Sequence, residues 1–135
     1  MTAMIRTWRL INGLIVEVED ESRNYYGDYH HVRLVIRCRI AVRAEHLKGV
    51  EKNPSYTRVV EAMGPSVEYL RVVGRAGVVG KDVPSVKEAL LRSFEETALP
   101  YFDREGFEEK FVRKRFDEIE KDLIRRDRDG RGDGD

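Results

Sequence analysis

The sequence predicts an α+β domain in which a long antiparallel β-hairpin and a third strand carry three helices on one face. Three observations lead to this fold class. The first third of the chain alternates polar and apolar residues, a short capped segment with helical spacing follows, and the last third holds two longer stretches of helical spacing. The predicted order of elements is β-β-α-β-α-α.

The hairpin prediction depends mainly on the segment from His31 to Arg43, where the alternation is strict. One side of this segment is apolar: Val32, Leu34, Ile36, Cys38, Ile40 and Val42. The other side holds His31, Arg33, Val35, Arg37, Arg39, Ala41 and Arg43. A period of two with one apolar side is typical of a half-buried strand.

The partner strand of the hairpin is predicted over Thr7–Glu19, where the alternation is less regular. The segment Asp20–Asp28 between the two strands contains the turn-forming residues Ser22, Asn24 and Gly27. We therefore interpret it as an irregular hairpin loop.

A short helix is predicted next, because both of its ends carry stop signals. Asn53 and Pro54 suit a helix start, whereas Gly64 and the proline after it suit a helix end. Its apolar stripe is expected to dock on the sheet, since a helix of about three turns is unstable alone in water. The stripe consists of Tyr56, Val59, Val60 and Met63.

The second half of the chain supplies the remaining strand and two helices. Val67–Val73 fits a strand or a helix, and a strand is preferred because β-branched residues and tyrosine dominate it. Gly74–Gly80 is interpreted as a glycine-rich loop. A helix opened by Asp82 or Ser85 follows and ends before Pro100, and a last helix is predicted over about Arg104–Ile124.

Length and composition predict one domain over residues 1–124 and a disordered charged tail over residues 125–135, which contains no apolar residue. The 25 basic and 25 acidic residues cancel, which argues against a globally basic nucleic-acid binder. One cysteine excludes an internal disulfide. The absence of an export signal and of a long apolar run predicts a cytoplasmic protein without membrane contact, and the setting expected for it is a cytoplasm of bacterial type.

No credible catalytic, cofactor or metal site is predicted. The run Gly80–Asp82 lacks the hydroxyl residue that a phosphate-binding loop places after its lysine. His30 and His31 point to opposite faces of a strand and so do not easily share a metal ion with Asp28. Cys38 falls on the apolar side of its strand, where a thiol is inert.

The polar side of the hairpin is the one unusual feature, because arginine dominates it. Its candidate interface or nucleic-acid-binding residues are Arg9, Arg33, Arg37, Arg39, Arg43, Tyr25 and Tyr26. Glu17 and Glu19 are the acids expected among them. Three interpretations stay open: a solvated face with partial ion pairing, a protein–protein interface, or a nucleic-acid-binding surface.

The leading hypothesis is a non-enzymatic homo-oligomer, a dimer built through the hairpin, acting as an interaction or regulatory module. One alternative is a nucleic-acid-binding module that uses the arginine-rich face. A second alternative is an enzyme of unknown reaction, with its site where the hairpin loop meets the glycine-rich loop. That site would involve Tyr25, Tyr26, Asp28, His30, Arg75 and Lys81.

Overall fold

The computed structural model describes residues 3–132 and confirms an α+β fold with an antiparallel sheet. The strands are β1 (Ala3–Arg9), β2 (Ile15–Asp20), β3 (Arg23–Tyr26), β4 (Tyr29–Ala41) and β5 (Ser66–Val79). The helices are α1 (Tyr56–Met63), α2 (Val83–Thr97), α3 (Leu99–Phe102) and α4 (Phe107–Gly132). Short 3-10 turns occupy Ala44–Leu47, Val50–Lys52 and Gly80–Asp82.

The predicted hairpin is present, and β4 is the central strand of the sheet. β4 pairs with β2, β3 and β5, and β1 pairs with β2. Asp20 lies opposite Leu34, and Arg23 lies opposite His31, so β2 and β3 keep one register along β4. They therefore form a single arm of the hairpin, with a break at residues 21–22 and a register shift between Asn24 and Tyr26 near the turn. This arm occupies one side of β4, which leaves the other side to β5.

The prediction of one strand over Thr7–Glu19 was wrong, because this segment folds into two paired strands. A turn around Asn12 and Gly13 separates β1 from β2. Gly13 has a φ of +90°, and Asn12 Oδ1 accepts a hydrogen bond of 3.1 Å from the Leu14 amide. Asn-Gly between alternating segments is a strong hairpin signal, because both residues tolerate positive φ. The hydrophobic alternation concealed this turn.

Two predicted loops also proved to contain strand. The segment Asp20–Asp28 includes β3, and the glycine-rich segment Gly74–Gly80 mostly belongs to β5. Gly74 is needed inside the strand, since a Cβ there would collide with the Val32 carbonyl oxygen. A glycine in a strand can mark such a close backbone approach rather than a loop. The preference for a strand over Val67–Val73 is confirmed.

The chain divides into two compact units, each made of two separate stretches of chain. In the first unit, residues 3–39 and 68–104, helices α2 and α3 contact one face of the sheet. The Trp8 and Phe94 rings lie 5.5 Å apart, and Tyr69 meets Phe102 edge-on at 4.9 Å. The apolar side of β4 is completely buried, as its alternation predicts.

The second unit comprises residues 40–67 and the described residues from Glu105 onward. Its helix α1 packs against α4, where the Tyr56 and Phe116 rings lie 6.2 Å apart and Val59 is fully buried. Within this unit the stripe of α1 thus meets a helix, whereas the sequence led us to expect a sheet. The interpretation of residues 1–124 as one domain stays a prediction.

Helix α4 continues to Gly132, beyond the end expected near Ile124. Charge pairing supports the added turns, because Asp122 pairs with Arg125 and Arg126, which follow it by about one helical turn. Asp127 forms a bidentate pair with Arg58 of α1, at 2.6 and 2.8 Å. The last part of the predicted disordered tail, residues 133–135, lies outside the described residues.

Substitution of Gly74 by alanine tests the close approach of β5 to β4. The added methyl group would meet backbone rather than a flexible side chain, so we expect a loss of about 1–3 kcal/mol in the free energy of unfolding. The control is Gly130→Ala in α4, where the Cβ would meet nothing within 4 Å. Urea denaturation measures both variants, and equal stabilities would contradict the close approach.

The ion pair between Asp20 of β2 and Lys87 of α2 should make stability depend on pH. Burial raises the pKa of Asp20, but hydrogen bonds from Lys87 and Ser22 lower it by more, to below its ordinary value of 3.8. A lowered folded-state pKa contributes stability above pH 3.8, and this contribution is lost as the pH falls through the folded-state value.

We therefore expect Asp20→Asn to cost about 1.5 kcal/mol at neutral pH. The cost should shrink at strongly acidic pH, well below the ordinary value of 3.8, as the wild-type carboxyl becomes protonated. Urea denaturation at both pH values measures the difference, with Asp117→Asn at an exposed site of α4 as control. A cost that does not change with pH would contradict the role of the Asp20 charge.

Candidate interaction surface

The arginine-rich side of the hairpin forms the face of the sheet opposite α2 in the first unit, here called the open face. Its charged residues come from all five strands and from the junction between β2 and β3. The arginines are Arg9, Arg23, Arg33, Arg37 and Arg39, and the glutamates are Glu17, Glu19, Glu21 and Glu68. The sequence predicted five positive charges against two negative, but the structure brings Glu21 and Glu68 onto this face. Its charge is therefore nearly balanced.

Two of the candidate arginines are engaged within the fold. Arg37 lies between two carboxylates, with Nε 3.5 Å from Glu19 and Nη1 3.0 Å from Glu68. Its Nε is buried and makes no hydrogen bond within the described part of the chain. Arg33 Nε donates to Glu21 at 3.0 Å. These ion pairs link β4 to the β2–β3 arm on one side and to β5 on the other.

The other candidate residues lie in three different settings. Arg9 and Arg39 are exposed and form no ion pair with any residue of the segment 3–132. Tyr25 and Tyr26 are exposed near the end of the hairpin, beside the turn at Gly27. Arg43 lies beyond the end of β4, in the second unit, where its guanidinium is 3.7 Å from Glu45. The predicted set is thus not one continuous patch.

The two outer edges of the sheet differ in a way that the sequence did not predict. β1 is seven residues long, and its pairing with β2 shifts register between Met4 and Arg6. β5 is 14 residues long and pairs with β4 alone among the described strands. Short and bulged edge strands resist pairing with other chains, whereas long apolar ones invite it. β5 contains neither lysine nor proline, and Leu70 and Val72 are 55% and 43% exposed.

The hairpin end and the end of β5 do meet, as the enzyme hypothesis requires. The Gly80 amide donates to the Asp28 carbonyl oxygen at 3.1 Å, and a Cβ on Gly80 would lie 2.5 Å from Asp28 Oδ1. His30 Nε2 is 3.5 Å from the Asn24 side-chain amide and 3.9 Å from Asp28. Within residues 3–132, no three metal-binding side chains converge. The contacts between these segments are mainly those of a turn held against a strand end.

His46 is a polar residue whose role the sequence did not predict, and it is almost fully buried in the second unit. Its Nδ1 accepts the Arg43 amide at 3.1 Å, and its Nε2 lies 3.6 Å from Glu108. The accepting Nδ1 places the ring proton of the neutral form on Nε2, facing the carboxylate. His46 thereby caps the turn after β4 and links it to α4. No spacing in the sequence relates His46 to Glu108.

Comparison with known proteins does not extend this description. No profile of a known protein family, no curated protein and no solved structure matches the chain. Across residues 3–132, no helix has the length and apolar character needed to cross a membrane. Any function must therefore be inferred from the surfaces just described.

The ion pairs of the open face predict different roles for two arginines that look equivalent in the sequence. Arg37→Glu would set a third carboxylate against Glu19 and Glu68, so we expect it to lower the free energy of unfolding by about 1 kcal/mol or more. Arg39→Glu should change it by less than about 0.5 kcal/mol, because Arg39 is exposed and unpaired among the described residues. Urea denaturation compares them, and equal losses would contradict the pairing of Arg37.

Proposed function

We propose that this chain is a non-enzymatic homo-oligomeric interaction module whose copies associate through the outer edge of β5. The observation that carries the proposal is the length of this free edge. In an antiparallel edge strand, about half of the backbone N–H and C=O groups point away from the sheet. Along 14 residues this is a ready-made template for a further strand.

The sequence of β5 favours a second copy of the same strand as the occupant. When a strand pairs in antiparallel fashion with a second copy of itself about a two-fold axis, one residue lies opposite its own copy. Residues at equal distances before and after that central residue then lie opposite each other. If Val72 is the central residue, Arg71 lies opposite Val73 and Tyr69 lies opposite Arg75. The Arg75 guanidinium of one copy then meets the Tyr69 ring of the other. Pairing centred on Val73 would oppose Arg71 to Arg75, and pairing centred on Arg71 would oppose that arginine to itself. The register centred on Val72 avoids both repulsions.

The exposed aliphatic residues of β5 support the same pairing of two β5 edges, here called the seam. Val72 would meet Val72 of the second copy, and Leu70 would lie beside Gly74. β-branched and aliphatic pairs of this kind add to the backbone hydrogen bonds of a sheet. In this arrangement the open faces of the two copies form one wider surface. Arg9 and Arg39 are its unpaired cations and, with Tyr25 and Tyr26, remain its proposed contact residues for a further partner.

Nucleic-acid binding by the open face has weaker support than the sequence implied. A nucleic-acid surface requires excess positive charge, because its affinity comes largely from contacts to phosphates. Glu21 and Glu68 offset this excess, and Arg33 and Arg37 are already paired. A dimer built on backbone pairing should also be insensitive to salt.

Val72→Lys tests the proposed seam. A lysine on an edge strand opposes pairing by charge, and at this exposed position it should barely affect the monomer. We expect sedimentation equilibrium to show a dimer for the wild type at high and low salt, with the dissociation constant of the variant raised about tenfold or more.

The matched control is Ile11→Lys, which introduces the same charge at a completely exposed aliphatic residue of the β1–β2 turn. It should dimerise as the wild type does. A wild-type protein that stays monomeric at high micromolar concentration would overturn the proposal. Equal weakening by both variants would show that β5 is not the seam.

A further inference from the structure

We propose that a cleft on the open face, near the end of the hairpin, binds the phosphate group of a small anionic ligand. The cleft has a volume of about 240 Å³ and is lined by Glu21, Arg23, His31 and Arg33. It is separate from the β5 edge, because all four residues belong to the β2–β3 arm or to β4. The proposal is therefore independent of dimerisation.

The register of the hairpin brings these four side chains together. Arg23 and His31 are direct cross-strand partners. The Glu21 amide donates to the Arg33 carbonyl oxygen at 2.8 Å, so Glu21 and Arg33 form the next pair along the hairpin. Directly opposed residues of an antiparallel pair have their side chains on the same face. Two such pairs surround the cleft.

The backbone around the cleft is fixed where the arm is interrupted between β2 and β3. Asp20 Oδ1 accepts the Ser22 amide at 2.9 Å, and Ser22 Oγ accepts the Arg33 amide at 3.0 Å. The first bond joins the two residues that flank Glu21, and the second holds the Arg33 backbone against them. A preformed site loses less conformational entropy on binding than a flexible one.

This cleft differs from the rest of the open face because several hydrogen-bond donors without partners line one concave site. Arg33 donates only from its Nε, toward Glu21, which orients the guanidinium and leaves both terminal nitrogens without a hydrogen bond or ion pair to a described residue. The Arg23 guanidinium and the His31 ring likewise form no hydrogen bond or ion pair within residues 3–132. The cleft thus collects two guanidinium groups and one imidazole with unused donors.

These donors suit a phosphate group better than other small ligands. Guanidinium groups bind phosphate oxygens through paired N–H donors, and a third donor from histidine can satisfy another oxygen. Glu21 would repel an anion, but its carboxylate is neutralised by Arg33 at 3.0 Å. The cleft has room for a phosphate together with a small attached group.

The test is titration of the ¹⁵N-labelled full chain with inorganic phosphate and with glycerol 3-phosphate, at ionic strength held constant with sodium chloride. We expect saturable shifts of the amides of Arg23, His31 and Arg33. Tighter binding of glycerol 3-phosphate would identify a phosphomonoester as the ligand, and equal binding would identify free phosphate. Absence of saturable shifts with both compounds would overturn the proposal.

Arg23→Gln should weaken phosphate binding about tenfold or more, since it removes charged hydrogen bonds. Arg39→Gln is the matched control, because it removes the same charge from the same face at a residue outside the cleft. The dispersion of the amide spectrum shows that each variant is folded. Equal weakening by the two variants would mean diffuse attraction to the face and would also overturn the proposal.

Discussion

The pairing of β4 with strands on both of its sides is the interaction on which the rest of the structure depends. One side of β4 holds the β2–β3 arm, and the other side holds β5. Val32, Leu34 and Ile36 along its apolar side are fully buried. The opposite side chains are thereby forced onto the open face. The surfaces proposed to have a function lie on the open face or along the outer edge of β5.

Much of the fold follows from local patterns. The strict alternation from His31 to Arg43 predicted β4, and Gly64, with a φ of +77°, ends α1 as expected. Cys38 is buried in the core for the same reason. Patterns that compete within one segment were harder to interpret. The alternation through Thr7–Glu19 masked the turn at Asn12 and Gly13. The glycines of β5 suggested a loop, whereas Gly74 is required by the close approach of its backbone to the Val32 carbonyl oxygen.

The candidate surfaces were less predictable, because they depend on residues distant in sequence. Glu68 reaches Arg37 only through the pairing of β5 with β4, so the sequence overstated the positive charge of the open face. The sequence placed Glu21 in a loop, but the pairing of β2 and β3 with β4 brings it opposite Arg33. The free edge of β5 could not be predicted either, since nothing local in a strand tells whether its second side has a neighbour.

The central claim is that the outer edge of β5 pairs with a second copy, and amide hydrogen exchange at two protein concentrations tests it most directly. We expect alternate amides between Glu68 and Ala76, those that point away from β4, to exchange more slowly as concentration rises. The amides of β1 should exchange at the same rate at both concentrations. Dimer formation without added protection in β5 would contradict the claim, because it would mean that the copies meet elsewhere.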